Sequence, residues 1–404
     1  MTPRTETPET TATAAPTTAG AAAPKLIPIA LPFLGAEEGR AAQAAVESGW
    51  VSQGPKVAEF ERLFAAACGT AHAVAVSNCT TALHLAFHAL GIGPGDEVIC
   101  PSMSFIATAN AIRHTGATPV FADVDPRTFN LDPAATAAAI TPRTKAILPV
   151  HQIGLPADMD AFVELGHKHK LHIVEDAACA IGSRYRDQPI GGHSEMACFS
   201  LHPRKVITTG EGGMITTNSP ELADRLRLLR QHAMSVSDTV RHAAKQVVIE
   251  QYTEVGFNYR MTDIQAAVGV VQLGRLAEIV QRRRALAARY DRALAAHPFL
   301  TPPYVPAGVL HNYQSYATTL AEGAPITRDA LMQLLLDRNI ATRRGVMLSH
   351  LEPAYRDQPL QHPLPHSEQA SNQSLLLPLY PGLSETDQDR VIAELFAAFG
   401  VAAP

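Results

Sequence analysis

From about residue 45 to 220 the chain alternates short β-rich runs with segments of helical period. That alternation leaves few architectures open. A helix between two strands carries the chain back to the edge it left, so successive strands run parallel and the helices cover the sheet. The candidate strands are Ala73 to Val76, Glu97 to Cys100, Pro119 to Phe121, Ala146 to Val150, Leu171 to Glu175, Ala197 to Leu201 and Met214 to Thr217. The expected fold class is α/β, with a mainly parallel seven-stranded sheet in a large domain and a smaller α+β domain behind it.

Local signals mark where the helices begin and end. Phe60, Leu63, Phe64 and Ala67 form one helical stripe, and Gly69 follows as a left-handed cap. Asp132-Pro133 and Ser219-Pro220 each set a capping side chain before a proline at the first helical position. Thr262-Asp263-Ile264-Gln265 has capping-box spacing and opens a long helical segment towards His297, with a break near Gly274. This segment reads as the bridge between domains. Beyond it, Ala330 to Leu336 and Asp387 to Phe399 read as helices set among proline-rich loops. The expected division is a disordered tail at 1–24, a large domain at 25–275 and a small domain at 276–404.

Composition narrows the function. A chain of 404 residues, 46% hydrophobic and 18% charged, suits a globular protein of two domains. A net charge of -5 provides no basic field for nucleic acid. No run approaches the roughly 20 apolar residues that cross a bilayer, and the Thr-, Ala- and Pro-rich tail lacks the apolar core of a secretory signal. The five cysteines, Cys68, Cys79, Cys100, Cys179 and Cys198, include no CxxC pair. They form neither a disulfide framework nor a zinc site, and a cytoplasmic location is expected. His362 and His366 flank prolines and lack the spacing of metal ligands, so no metal is expected. Gly91-Ile92-Gly93-Pro94-Gly95 precedes a strand and reads as a turn, not a dinucleotide loop. Arg282-Arg283-Arg284 reads as a solvated helical face.

Chemistry is written in four segments. Lys205 closes Ser200-Leu201-His202-Pro203-Arg204-Lys205, between a strand and the glycine-rich turn ending at Gly212-Gly213. An amine freed of its proton can form an imine with an aldehyde, and pyridoxal phosphate supplies one. Taken alone, Lys205 could equally be a surface residue of a hairpin turn. Ser77-Asn78-Cys79-Thr80-Thr81 joins a strand to a helix start, whose unpaired N–H groups suit a phosphate held by Thr80 and Thr81. Ordinary N-capping would explain the same residues. Glu175-Asp176 ends a buried strand, where open α/β sheets place their ligands. Neighbouring strand residues point to opposite faces, so the two acids have different roles. Asp176 is assigned to the pyridine nitrogen, which a carboxylate keeps protonated; a structural pair capping the next loop is the alternative. Phe105, after another strand end, could stack on a ring or belong to the core.

These segments occur in a wider order: Gly54-Pro55-Lys56-Val57-Ala58-Glu59-Phe60-Glu61, Pro149-Val150-His151, Pro156-Ala157-Asp158-Met159, Glu175-Asp176-Ala177-Ala178, Gly256-Phe257-Asn258-Tyr259-Arg260-Met261-Thr262-Asp263, and Leu377-Pro378-Leu379-Tyr380-Pro381-Gly382. The chain resembles the DegT/DnrJ/EryC1/StrS family of pyridoxal-phosphate-dependent sugar aminotransferases, a branch of fold type I, over everything after the tail. The resemblance implies Lys205 as the Schiff-base lysine, Asp176 as the partner of the pyridine nitrogen and Phe105 as the stacking aromatic. It implies Thr80, Thr81 and Ser200 at the phosphate, with Cys79 also among the cofactor-binding residues. It places Asn258 in a segment that reaches the phosphate of the neighbouring subunit's cofactor, hence a homodimer with shared sites. His202 and His350 fall at positions near the substrate. Cys179 stands where many relatives carry His or Gln beside the ring hydroxyl. The implied reaction passes an amino group from glutamate or glutamine to a keto sugar, nucleotide-linked, by way of the pyridoxamine form. A keto-cyclitol acceptor is an alternative. A sugar dehydratase, which resembles relatives with His for the lysine, and a silent sensor of the same fold are opposed by Lys205 and Asp176.

Overall fold

The structure, a computed structural model, describes residues 25–236 and 244–403; the expected tail at 1–24 lies outside the described residues. All seven expected runs form strands: β1 His72–Val76, β2 Glu97–Pro101, β3 Thr118–Ala122, β4 Thr144–Ile147, β5 His172–Asp176, β8 Met196–Ser200 and β9 Gly213–Thr217. They make one sheet in the order β1-β9-β8-β5-β4-β2-β3. Only β9 runs antiparallel to its neighbours. The fourth strand starts earlier than expected and stops at Ile147, because Pro149 has no N–H to offer the ladder. Its continuation survives as single bonds, from Leu148 N to Ile99 O and from Asp176 N to Pro149 O.

Side chains alternate between the two sheet faces. Ile99 and Phe199 join the core that holds Phe60, Phe64 and Phe162, whereas their neighbours Val98 and Cys198 join the core around Leu83, Phe87 and Ile112. The near-continuous apolar strands are what a sheet covered on both faces requires. Gly69 ends its helix at φ 67°, and Asp132, Ser219 and Thr262 accept the expected capping hydrogen bonds.

A short hairpin, β6 Arg184–Tyr185 and β7 Gln188–Pro189, pairs with β11 Val309–Leu310. Strands β10 Leu300–Thr301, β12 Tyr316–Leu320, β13 Arg343–Arg344 and β14 Ser374–Leu377 form a second, antiparallel sheet ordered β10-β12-β14-β13. The core beside it gathers Tyr290, Tyr316, Leu331, Leu375 and Leu395. Ile27 also joins that core and bridges to Ile340, so the first described residues pack against the C-terminal sheet.

The long bridging segment breaks at Arg275 into helices Asp263–Gly274 and Leu276–Leu294. In its arginine triplet Arg282 and Arg284 are exposed as a solvated face requires, and Arg283 alone departs from it. Arg282 points outward to Glu278, but Arg283 is only 2% exposed and donates to the carbonyls of Tyr313, Gln314 and Leu379. Arg284 donates to His311 O. Consecutive helical residues are turned by about 100°, and this helix is packed on more than one side. Burial draws the Arg283 pKa down to about 10, so it stays a cation held by backbone dipoles. No helix among the described residues is long and apolar enough to cross a membrane.

Candidate active site

The parallel strands end along one edge, and a cavity of about 1200 Å³ opens there. Strand β8 delivers Ser200 to it, and the chain then curls. Lys205 N donates to His202 O at 2.8 Å, and Thr208 Oγ1 donates to Leu201 O at 2.7 Å. This tight turn projects the lysine into the cavity with Nζ 3.1 Å from Cys179 Sγ. Burial opposes charge on Lys205, but Cys179, then Cys79 and Asp176, outweigh it and hold its pKa above the ordinary lysine value.

Strand β5 ends at Asp176, which is 5% exposed and lines the cavity. Its Oδ2 accepts from Thr108 Oγ1 at 2.7 Å, and its Oδ1 accepts from Ala178 N at 3.2 Å. Thr108 is itself 2.6 Å from Ser104 Oγ. Glu175 lies on the opposite strand face, fully buried, 2.8 Å from His151 Nε2 and accepting from Ser194 Oγ at 2.7 Å. Burial resists its ionisation, yet the His151 and Ser194 contacts prevail and set its pKa below the usual glutamate value. The alternation expected from strand geometry therefore separates the two acids.

Helix Cys79–Ala89 begins at the same edge, with Cys79, Thr80 and Thr81 lining the cavity. Asn78 caps it by accepting from Thr81 N at 2.9 Å, and Thr81 Oγ1 donates to Asn78 O at 2.7 Å. The capping reading holds at Thr81. Thr81 is engaged in the cap, and the N–H groups of Cys79 and Thr80 are the ones left to an anion. Burial pushes the Cys79 thiol far above its usual pKa, and Asp176 adds to it. Gly213, at the start of β9, lets these pieces meet: a Cβ there would stand 2.4 Å from Asn78 O.

Phe105, Cys179 and His202 also line the cavity, Phe105 with 57% of its surface exposed. Burial lowers the His202 pKa. Two expected residues stand elsewhere. Asn258 is exposed, bridges to Gln231 in the backbone and does not line this chain's cavity. His350 is buried, with Nδ1 2.6 Å from Ser102 Oγ, and ties the loop after β2 to the C-terminal part instead of facing the cavity.

Other residues were not foreseen. Thr108 sits four residues after Ser104, a helical spacing visible in the segment that carries Phe105. Asn312, Gln314 and Arg343 come from the C-terminal part, where no local pattern announces them. Asn312 Nδ2 donates to Cys179 O at 2.8 Å, and Gln314 Nε2 donates to Arg204 O at 2.8 Å.

An amine, a supported carboxylate and a helix N-terminus around one cavity are the groups that a phosphorylated pyridine aldehyde calls for. The DegT/DnrJ/EryC1/StrS aminotransferase family model matches residues 32–396. The chain belongs to that family. It is 42% identical to the spore coat polysaccharide biosynthesis protein SpsC of Bacillus subtilis, covering 91% of this chain and 95% of that one. It is 43% identical to the GDP-perosamine synthase of Caulobacter vibrioides, covering 91% and 97%. Among solved structures, the aminotransferase TlmJ from Streptoalloteichus hindustanus superposes with a TM-score of 0.85 at 37% identity, over 92% of this chain and 98% of that one.

This family member is a pyridoxal-phosphate-dependent aminotransferase. The residues fit the cofactor in three respects: an amine at Lys205 Nζ inside the cavity, a buried carboxylate at Asp176, and a helix start at Cys79 and Thr80 whose N–H groups suit an anion.

Proposed function

We propose that this aminotransferase moves an amino group from glutamate or glutamine to a nucleotide-linked keto sugar, in amino-sugar biosynthesis, as a cytoplasmic homodimer. The observation that carries the reading is the convergence of Lys205 and Asp176 on one cavity at the carboxyl edge of the sheet. A sugar acceptor is supported by relatives named for polysaccharide biosynthesis and for GDP-perosamine synthesis. An anionic carrier on that sugar is supported by Arg204 and Arg343, which line the cavity without a carboxylate partner among the described residues. Asn258, exposed and outside its own cavity, is assigned to the partner subunit's site.

When bound, pyridoxal phosphate supplies an aldehyde that links to amines and a pyridine ring that accepts the electron pair released at an amino acid's α-carbon. Lys205 Nζ would hold the cofactor's aldehyde carbon, and as a free amine it would be the base that carries the donor's α-proton. Asp176, held by Thr108 and Ala178 N–H, keeps the ring nitrogen protonated. Phe105 would cover one ring face, and Cys79, Thr80, Thr81 and Ser200 would hold the phosphate. His202 is assigned to the substrate side. His350 acts there only through Ser102 and its loop.

The test has two parts. Borohydride reduction of the loaded protein followed by peptide mapping is expected to label Lys205, and a label elsewhere overturns the assignment. Glutamate and glutamine are then paired with nucleotide-linked keto sugars, free keto sugars and keto-cyclitols. Parallel lines in double-reciprocal plots, the mark of a ping-pong sequence, are expected with a nucleotide-linked acceptor. Preference for a cyclitol overturns the sugar reading and leaves the transaminase intact.

A further inference from the structure

Lys205 Nζ must lose a proton before it bonds to a carbonyl carbon, and the side chain 3.1 Å away is the thiol of Cys179. That distance is within the reach required of a proton acceptor. The ordinary pKa values of a thiol and an ammonium, about 8.5 and about 10.4, are close enough for a proton to rest on either group. A serine hydroxyl or a side-chain amide offers no such match. Asn312 Nδ2 donates to the carbonyls of Cys179 at 2.8 Å and Ile181 at 2.9 Å, which fixes the backbone that carries the thiol.

The other charged or titratable groups of this cavity are Asp176 at the end of β5, Cys79 and His84 on the helix that follows β1, His202, Arg204 and Glu211 on the lysine's own turn, and His114, Tyr259, Arg343 and Arg344 from other elements. Among the described residues none of them hydrogen-bonds Lys205 Nζ, whose partner is Cys179. Asp176 is engaged by Thr108 and by Ala178 N, Cys79 directs its thiol to Cys198 O at 3.7 Å, and His202 Nδ1 accepts from Arg204 N at 3.2 Å.

The geometry points to Cys179 as the proton partner of Lys205. The thiolate of Cys179 takes a proton from the Nζ ammonium; one N–H bond breaks, one S–H bond forms, and a neutral amine faces a neutral thiol. The reverse transfer stores the lysine as an ammonium while it is detached. Charge balances within the pair, and no oxidant or co-reactant takes part. The inference rests on Lys205 being the reactive amine, but its test reads the pair without turnover.

Full-length protein is loaded with pyridoxamine 5'-phosphate, which carries no aldehyde and leaves Lys205 free. Alkylation of Cys179 by iodoacetamide is followed by peptide mapping from about pH 6 to about pH 10. Lys205→Met is expected to slow alkylation near neutral pH about tenfold or more. Lys205→Arg, which restores a cation, is expected to keep the wild-type rate. In a second measurement, Cys179→Ser is mixed with pyridoxal phosphate and attachment is followed by absorbance. It is expected to attach about tenfold more slowly near neutral pH, with a profile moved to higher pH. Equal alkylation rates near neutral pH in wild type and Lys205→Met overturn the inference, as does an unchanged attachment profile in Cys179→Ser. A borohydride label away from Lys205 would defeat the proposed function instead, so the two failures are distinguishable.

Discussion

Asp176 shows how much one carboxylate depends on its supports. Thr108 and Ala178 N–H each donate to one of its oxygens, so Asp176→Asn keeps the shape of the side chain, removes the charge and turns one accepting oxygen into a donor. Turnover is expected to fall by about a hundredfold or more, with a changed absorbance of the bound cofactor, checked by steady-state rates and spectra. A second prediction concerns His311, which is fully buried, accepts from Tyr313 N through Nδ1 at 3.1 Å and has its pKa driven down by burial to about 3. Its unfolded value is about 6.5, so below that pH the unfolded chain takes up a proton that the folded chain refuses. Its contribution is complete above about pH 6.5 and declines by about 1.4 kcal/mol per unit as pH falls towards the folded value. Urea midpoints of His311→Gln, which keeps an acceptor without titrating, are expected to fall less steeply over that window. Lys205 and Asp176 are legible in the sequence because their chemistry demands one residue type at one place. Thr108 is harder to see, because a hydroxyl that supports an acid looks locally like any helical threonine.

At the scale of elements, the site depends on two backbones that come unusually close. A Cβ at position 213 would meet the Asn78 carbonyl at 2.4 Å, and neither β9 nor the capped helix start has a flexible side chain there to yield. Gly213→Ala is therefore expected to displace the N-terminus of helix Cys79–Ala89 and to weaken pyridoxamine phosphate binding about tenfold or more, read by equilibrium titration. The β-rich runs are visible as strands because a sheet covered on both faces makes them apolar throughout. The caps are visible because each motif closes on itself within a few residues. Glycine's freedom from contact is different: the sequence shows a Gly-Gly pair, and only the fold shows that Asn78 O lies against the second member.

For the whole molecule, the cavity is built from both ends of the chain. Gln314 donates to the carbonyl of Arg204 beside the reactive lysine, Asn312 donates to the carbonyl of Cys179, and Arg283 holds the carbonyls of Tyr313 and Gln314 from behind. The proposed homodimer extends this sharing to a second subunit. Lys205→Ala and Asn258→Asp, each weakly active alone, are expected to recover about a quarter of wild-type activity when refolded together in equal amounts. Half of the dimers are then mixed, and each mixed dimer has one intact site. Absence of recovery in dimers shown to be mixed would remove Asn258 from the neighbouring site. Asn258 stands out in the sequence only through its surrounding motif, since nothing local says which subunit it serves.

The sequence by itself determined the strand and helix succession, the antiparallel pieces apart, and named the lysine, the acid and the helix start. Each of those follows from short-range constraints: side-chain period, caps, turns, and the reactivity of a single group. The tertiary structure alone decided that Arg283 is buried, that His350 faces Ser102 and not the cavity, and that Cys179 touches the lysine. Those outcomes depend on contacts between residues far apart in the chain, and no local pattern encodes which distant surface a side chain will meet.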